Sequence, residues 1–247
     1  MNIIKIDSTE STNNYLRDLW EETELQDGTV VYAEQQTMGR GQAGSCWEAE
    51  PGKNLTCSIL FYPDFVTLSD FFLLSKIVAV GIVSTLSEYS QKEFLIKWPN
   101  DIYVDNKKIA GVLIENNIED FSITRSIVGI GVNLNQREFK SSAPNPVSLI
   151  NLIDTEVDVT EFLQKLQSNI MCWYNRAKEG LCNYYFISHF YHKYLYRKTG
   201  FHYFEDEDEV FEAQISSVED DGHLVLETRN GEKKSYLFKE VKFVNGK

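Results

Sequence analysis

Residues 68–90, LSDFFLLSKIVAVGIVSTLSEYS, read as a helix that is apolar around nearly its whole circumference. Such a helix has to be covered on several sides, which demands a layered domain with a sheet against it. Ser69 is placed to cap it, with Asp70 in the first turn. Polar residues interrupt the run before about 18 apolar positions, so no membrane span is expected.

Strand-like runs stand on both sides. They are NIIKID, GTVVYAEQ, NLTCSILFYP and FLIKWPND, then a hairpin, IYVDNKKIAGVLIE, turning at Asp105-Asn106-Lys107, then RSIVGIGVNLN. Ser11 and Thr12 open a helix that sets Tyr15, Leu16, Leu19 and Trp20 on one face. Two more helices are expected over 160–179 and 183–197. From about Gly200 the text turns to short strands and turn residues, with Asn230-Gly231 a strong hairpin signal. The expected fold class is α+β over residues 1–197, followed by a small β-barrel module over 198–247. That module is too small for much core of its own unless it docks. With 247 residues, 15 Phe and 13 Tyr, the chain can build the main core.

Net charge is −13, which repels phosphate backbones, so no DNA or other bulk nucleic-acid binding is expected. Cys46, Cys57, Cys172 and Cys182 form no C-x-x-C pair and have no His at metal-site spacing. They read as free thiols in a reducing cytoplasm, with no metal site. The opening MNIIKIDSTEST lacks the basic-then-apolar design of a signal peptide, which agrees with a cytoplasmic protein.

Four segments carry candidate chemistry. Ser11, Thr12 and Asn13 bring hydroxyls, an amide and backbone N–H groups to a helix start, where a polar ligand head can bind. AEQQTMGRGQAGSCWEAEPGKNL, from Ala33 to Leu55, is a long glycine-rich link between two strands; long loops inside domains are often functional. Its Gly39-Arg40-Gly41 sets one guanidinium between two hinges, and its Trp47 is costly to leave in water. It does not match a phosphate-binding P-loop. KWPND, Lys97 to Asp101, puts an ammonium at the end of an apolar strand, and Lys107-Lys108 follow on the hairpin. GIGVNLN bares one strand face at Gly129 and Gly131, with Asn133 beyond. Each segment has a plain alternative: helix capping, a surface loop, a solvated strand end, close strand packing.

Their order is more specific than any one of them. Ser-Thr-Asn, Gly-Arg-Gly, Lys-Trp-Pro-Asn-Asp, Lys-x-Ala-Gly and Gly-x-Gly-x-Asn follow one another as in the biotin protein ligases, which the whole chain resembles. The resemblance implies a mixed β-sheet flanked by helices, related to class II aminoacyl-tRNA synthetases, with an SH3-like barrel after it. It implies a biotin--[acetyl-CoA-carboxylase] ligase, which joins biotin and MgATP into biotinyl-5′-AMP and passes biotin to a lysine of a biotin carboxyl carrier domain. The implied ligands are ATP, Mg²⁺ and biotin. Ser11, Thr12, Asn13 and Gln36 would then contact biotin, and Gly129 and Gly131 would form the floor beneath it. Gly39, Arg40, Gly41 and Gln42 would hold carboxylate and phosphate. Lys97 and Arg40 would be catalytic, bridging the two anions. Trp47, Asn100, Lys108 and Asn133 would serve the nucleotide side. No general base is needed for the first step, because a carboxylate is already a nucleophile at neutral pH.

Many bacterial relatives read Gly-Arg-Gly-Arg-Arg-Gly where this chain reads Gly-Arg-Gly-Gln-Ala-Gly. Gln42 and Ala43 replace the arginines, and looser retention of the adenylate is the expectation. Residue 2 already starts the first strand, leaving no room for the helix-turn-helix by which some relatives bind operators. Two rival readings are a lipoate or octanoate ligase of the same superfamily and a non-catalytic biotin-adenylate sensor. The first lacks the Gly-Arg-Gly loop followed by KWPND; the second would need neither Arg40 nor Lys97. A homodimer through an exposed sheet edge is left open.

Overall fold

The computed structural model describes residues 2–120, 122–141 and 145–244, with the Ala43 side chain outside the described set. The chain runs β1 (Ile3–Thr9), α1 (Thr12–Glu22), β2 (Val30–Gln36), β3 (Leu55–Phe61), α2 (Leu73–Ser87), β4 (Leu95–Lys97), β5 (Asp101–Val104), β6 (Lys107–Glu119), β7 (Ser122–Val132), α3 (Ile150–Ile153), α4 (Val159–Lys178) and α5 (Tyr184–Lys193). β8 (His202–Glu205), β9 (Val210–Val218), β10 (Leu224–Thr228), β11 (Lys233–Tyr236) and β12 (Lys242–Phe243) complete it.

The first seven strands form one mixed sheet in the order β1-β2-β3-β7-β6-β5-β4. Only β1 and β2 pair in parallel, with α1 as their crossover. Strand alternation sends Val31, Leu60 and Ile127 to the α1 face, where they bury Leu16. Val30, Ile59, Phe61, Val128 and Ile130 take the other face, under α2 and α4. The expected α+β class and mixed sheet are found.

α2 is the buried helix that opened the sequence reading. It begins at Leu73, later than expected, after a 3₁₀ turn over Leu68–Asp70, and Ser69 does not cap it. The hydroxyl of Thr67 instead bonds Ser69 and Asp70. Leu68–Ser87 is long and apolar enough to cross a membrane by length and composition alone, but in this fold it is a core helix that is mostly buried. Gly81 lets α4 approach closely, since a Cβ there would stand 2.6 Å from Ile170 Cγ1. α5 is shorter than expected. Beyond Lys193 the backbone pairs with β4 instead, through Ile96 N–H to Tyr194 O (2.7 Å) and Tyr196 N–H to Ile96 O (2.8 Å).

The last five strands form a separate antiparallel sheet, ordered β11-β10-β9-β8-β12. This is the expected small β module. Among the described residues its outer strands β11 and β12 do not pair with one another, so the ring is not closed by hydrogen bonds. Several contacts seat it on α2, α5 and the KWPND turn. Lys76, buried in α2, ion-pairs with Asp220 at 2.7 Å and bonds Ser188 Oγ at 3.0 Å. Trp98 Nε1 donates to Gly222 O (2.9 Å), and Val218 N–H donates to His192 Nε2 (3.0 Å).

Candidate active site

A cavity of about 680 Å³ opens where the two sheets meet. The first turn of α1, the glycine-rich loop, the KWPND turn, the middle of β6 and β7, and residues 238–243 of the second sheet line it.

One end is polar, and most of its groups are bonded to one another. Thr12 donates to Gln36 Oε1 through both its backbone N–H (2.8 Å) and its hydroxyl (3.0 Å). Ser58 Oγ contacts Thr12 Oγ1 at 2.7 Å and Asn13 Oδ1 at 2.5 Å. Ser11, Thr12, Asn13 and Ser58 are all buried, which is expensive for polar groups unless they are bonded. Ser11 occupies the N-cap of α1 without a side-chain capping bond, so capping does not account for its hydroxyl.

The loop is folded onto this cavity. An isolated bridge joins Arg40 to Cys46, and a 3₁₀ turn covers Gln42–Gly44. Trp47 N–H donates to Gly39 O (2.9 Å), and a Cβ on Gly39 would stand 2.6 Å from Trp47 O. The Trp47 indole enters the cavity and lies on a bare patch of sheet. Gly111 and Gly131 are cross-strand partners there. A Cβ on Gly131 would stand 2.6 Å from the Cζ2 and Nε1 of Trp47. Gly129 is bare for another reason: a Cβ there would overlap Asn13 Oδ1. Both bare positions are thus covered by the protein's own side chains, Asn13 at Gly129 and Trp47 at Gly131. Two buried polar atoms of the loop, Gln42 Oε1 and Trp47 Nε1, have no hydrogen-bond partner among the described residues.

Arg40, Lys97, Lys108, Lys239 and Lys242 line the cavity, and the three that the sequence singled out keep different company. Arg40 Nη2 lies 3.0 Å and 3.2 Å from the two carboxylate oxygens of Glu115. Lys108 ion-pairs with Asp101 at 2.7 Å and stands 5.6 Å from the Trp47 ring centre. Lys97 has no carboxylate at ion-pair distance among the described residues. Its ammonium bonds Tyr103 Oη (3.1 Å) and lies over the rings of Tyr103 and Phe243, at 4.6 Å and 5.3 Å. Burial lowers its proton affinity below the ordinary lysine value, against the pull of Asp101. A half-dry cation with no direct ion pair is suited to receive an anion.

Of the residues singled out in the sequence, Ser11, Thr12, Asn13, Gln36, Arg40, Gly41, Gln42, Trp47, Lys97, Asn100, Lys108, Gly129 and Gly131 line this one cavity. Gly39 and Asn133 do not. Gly39 shapes the loop, and Asn133 is buried beyond the wall, donating to Val147 O at 3.2 Å. Glu115, Ser58 and Phe243 were not singled out. Glu115 reads as an ordinary strand carboxylate, and nothing local in the sequence ties Phe243 to Lys97.

A family profile described as "Biotin/lipoate A/B protein ligase family" matches residues 6–133. The bifunctional ligase/repressor BirA of Bacillus subtilis is 29% identical over 217 residues, 85% of this chain and 65% of its own length. The biotin--[acetyl-CoA-carboxylase] ligase of Mycobacterium tuberculosis is 28% identical over 166 residues, 64% of this chain and 60% of its own. The chain thus spans less than two thirds of either relative. Among solved structures, a biotin protein ligase from Aquifex aeolicus in complex with biotin and ATP superposes with a TM-score of 0.81 at 25% identity, covering 99% of each chain. On these matches and on the order of its motifs, the chain belongs to the biotin/lipoate A/B protein ligase family.

Proposed function

We propose that this chain is a biotin protein ligase, forming biotinyl-5′-AMP from biotin and ATP and transferring biotin to a lysine of a carboxyl carrier domain. In this reading residues 1–197 hold the ligands, and residues 198–247 finish the cavity wall. The observation that carries it is the pairing of a polar end with a half-dry cation, Lys97, in one cavity. Thr12, Asn13, Gln36 and Ser58 suit the urea head of biotin, with one carbonyl and two N–H groups to satisfy. The dithiolane of lipoate has no hydrogen-bonding group to offer this polar end, a difference that sites of this kind use to discriminate. The Aquifex structure superposed on this chain is named for biotin and ATP, which supports the same choice.

Two anions must meet for the first step. The biotin carboxylate attacks the α-phosphorus of ATP, and pyrophosphate leaves. In this reading Lys97 would touch both anions, offsetting their repulsion and stabilising the charge that builds on the phosphoryl oxygens. Arg40 adds a second fixed cation from the loop. Holding the reactants in line contributes several kcal/mol more. Magnesium binds through one or two protein oxygens and the substrate's phosphates, so it needs no large ligand cluster. Asp101 and Asn100 line the wall and would hold it, and it would supply further positive charge against the phosphates. The loop then keeps water from the mixed anhydride until the carrier lysine attacks its carbonyl carbon and AMP leaves.

Incubation with MgATP, labelled biotin or lipoate, and a carrier domain tests the proposal. Label should transfer from biotin and depend on ATP. Transfer from lipoate, or biotin binding without transfer, would replace this reading with one of its rivals.

A further inference from the structure

Glu115 stands behind the loop arginine without lining the cavity. Its carboxylate accepts from three groups on two segments: Arg40 Nη2 of the loop (3.0 Å), and Arg17 Nη2 (3.1 Å) and Asn13 Nδ2 (2.7 Å) of α1. Only one amino group of Arg40 is used. Its Nη1 and Nε make no hydrogen bond with the described residues, while the side chain lines the cavity. Arg17 and Asn13 fix the carboxylate in turn. Asn13 is buried and bonded to Ser58, so the acceptor is set by the rigid end of the site.

An arginine on a glycine-flanked loop loses much rotamer and backbone freedom when it grips a ligand. A carboxylate that holds one edge of the guanidinium removes part of that loss in advance and leaves the other N–H groups facing the cavity. We infer that Glu115 is a positioning residue for Arg40: it sets the guanidinium at the meeting point of the two anions and holds the loop there before ligand arrives. The inference rests on the ligase reading for its rate consequence, but its contact with the loop can be tested without any ligand.

The experiment uses the full chain as wild type, Glu115→Gln, Glu115→Asp, Arg40→Ala and the Glu115→Gln/Arg40→Ala double variant. Pyrophosphate release from biotin and MgATP gives the rates. Glu115→Gln should slow release at least tenfold, and Glu115→Asp, which keeps the charge, should recover most of it. Once Arg40 is gone, Glu115→Gln should cost less than twofold, because residues acting as a unit are not additive. A tenfold loss that persists without Arg40 would make Glu115 a general support and overturn the inference. Trypsin cleavage after Arg40 in the ligand-free protein should be at least fivefold faster in Glu115→Gln, and equal cleavage would also overturn it. If wild type releases no pyrophosphate, the ligase reading falls and the rate consequence with it. The trypsin comparison still decides whether Glu115 holds the loop.

Discussion

The Trp47 indole is seated on the bare backbone of Gly131, at a distance that no Cβ could share. A methyl group at that one position must evict the ring. Gly131→Ala should therefore shift the Trp47 part of the fluorescence to the red, read as the difference from a Trp47→Phe background, and slow adenylate formation at least tenfold. Gly111→Ala should do far less, because its Cβ would stand 3.1 Å from the ring and from Lys108 Cε, within reach of small adjustments. Equal effects of the two substitutions would refute the seating.

Lys97 has to be charged to bridge two anions, and burial makes it easier to deprotonate than an ordinary lysine with a pKa of 10.5. The kcat/KM for adenylate formation should then fall along an alkaline limb whose midpoint lies below 10.5, since this profile reports the free enzyme. Lys97→Arg should be slower at neutral pH yet lose that limb. A limb that survives the substitution would belong to some other group.

The seam between α5 and the second sheet should be acid-labile. His192 Nε2 accepts from Val218 N–H, while its Nδ1 lies 2.7 Å from Ser188 O, which requires the neutral ring with its proton on Nδ1. Burial lowers its pKa below 6.5 and Lys76 of α2 adds to this, against Glu219 and Asp220 of the second sheet. Below 6.5 the unfolded chain takes up a proton that the folded chain resists, so stability falls as pH drops from 6.5 toward the lowered value. The urea midpoint should decline less between pH 7 and pH 5 in His192→Gln than in wild type. Parallel declines would count against this account.

Gln42 offers a neutral carboxamide where many relatives have an arginine. A charge-assisted bond to phosphate is roughly twice as strong as a neutral one, and about 1.4 kcal/mol is a factor of ten. Gln42→Arg should slow release of biotinyl-5′-AMP about tenfold, measured by trapping the released adenylate. An unchanged off-rate would show that residue 42 does not set retention.

Local periodicity and turn chemistry made most elements legible in the sequence. The apolar runs of β3 and β7, the all-round apolar text of α2 and the Asn230-Gly231 turn each have a short-range cause. Where the reading slipped, distant backbone intervened: β4 takes the groups that would have continued α5, and Thr67 binds the residues expected to cap α2. The site was legible as a set of residue types in order, but their partners were not. Glu115 lies far along the chain from Arg40, and its role depends on β6 running beside the start of α1. The glycines are legible as a bare strand face, but the side chains that cover it are not. Nothing in GIGVNLN says that Trp47 and Asn13 fill the space.

The ring of Phe243 over Lys97 gives the site a timetable. A growing chain displays its key ammonium long before β12 is made, and until the second sheet has folded against α5 that ammonium has one aromatic wall and an open side. Activity should therefore be the last property the chain acquires during synthesis, appearing only after the helices and both sheets are joined. An unfinished chain would have no closed chamber in which to make, and lose, a reactive anhydride.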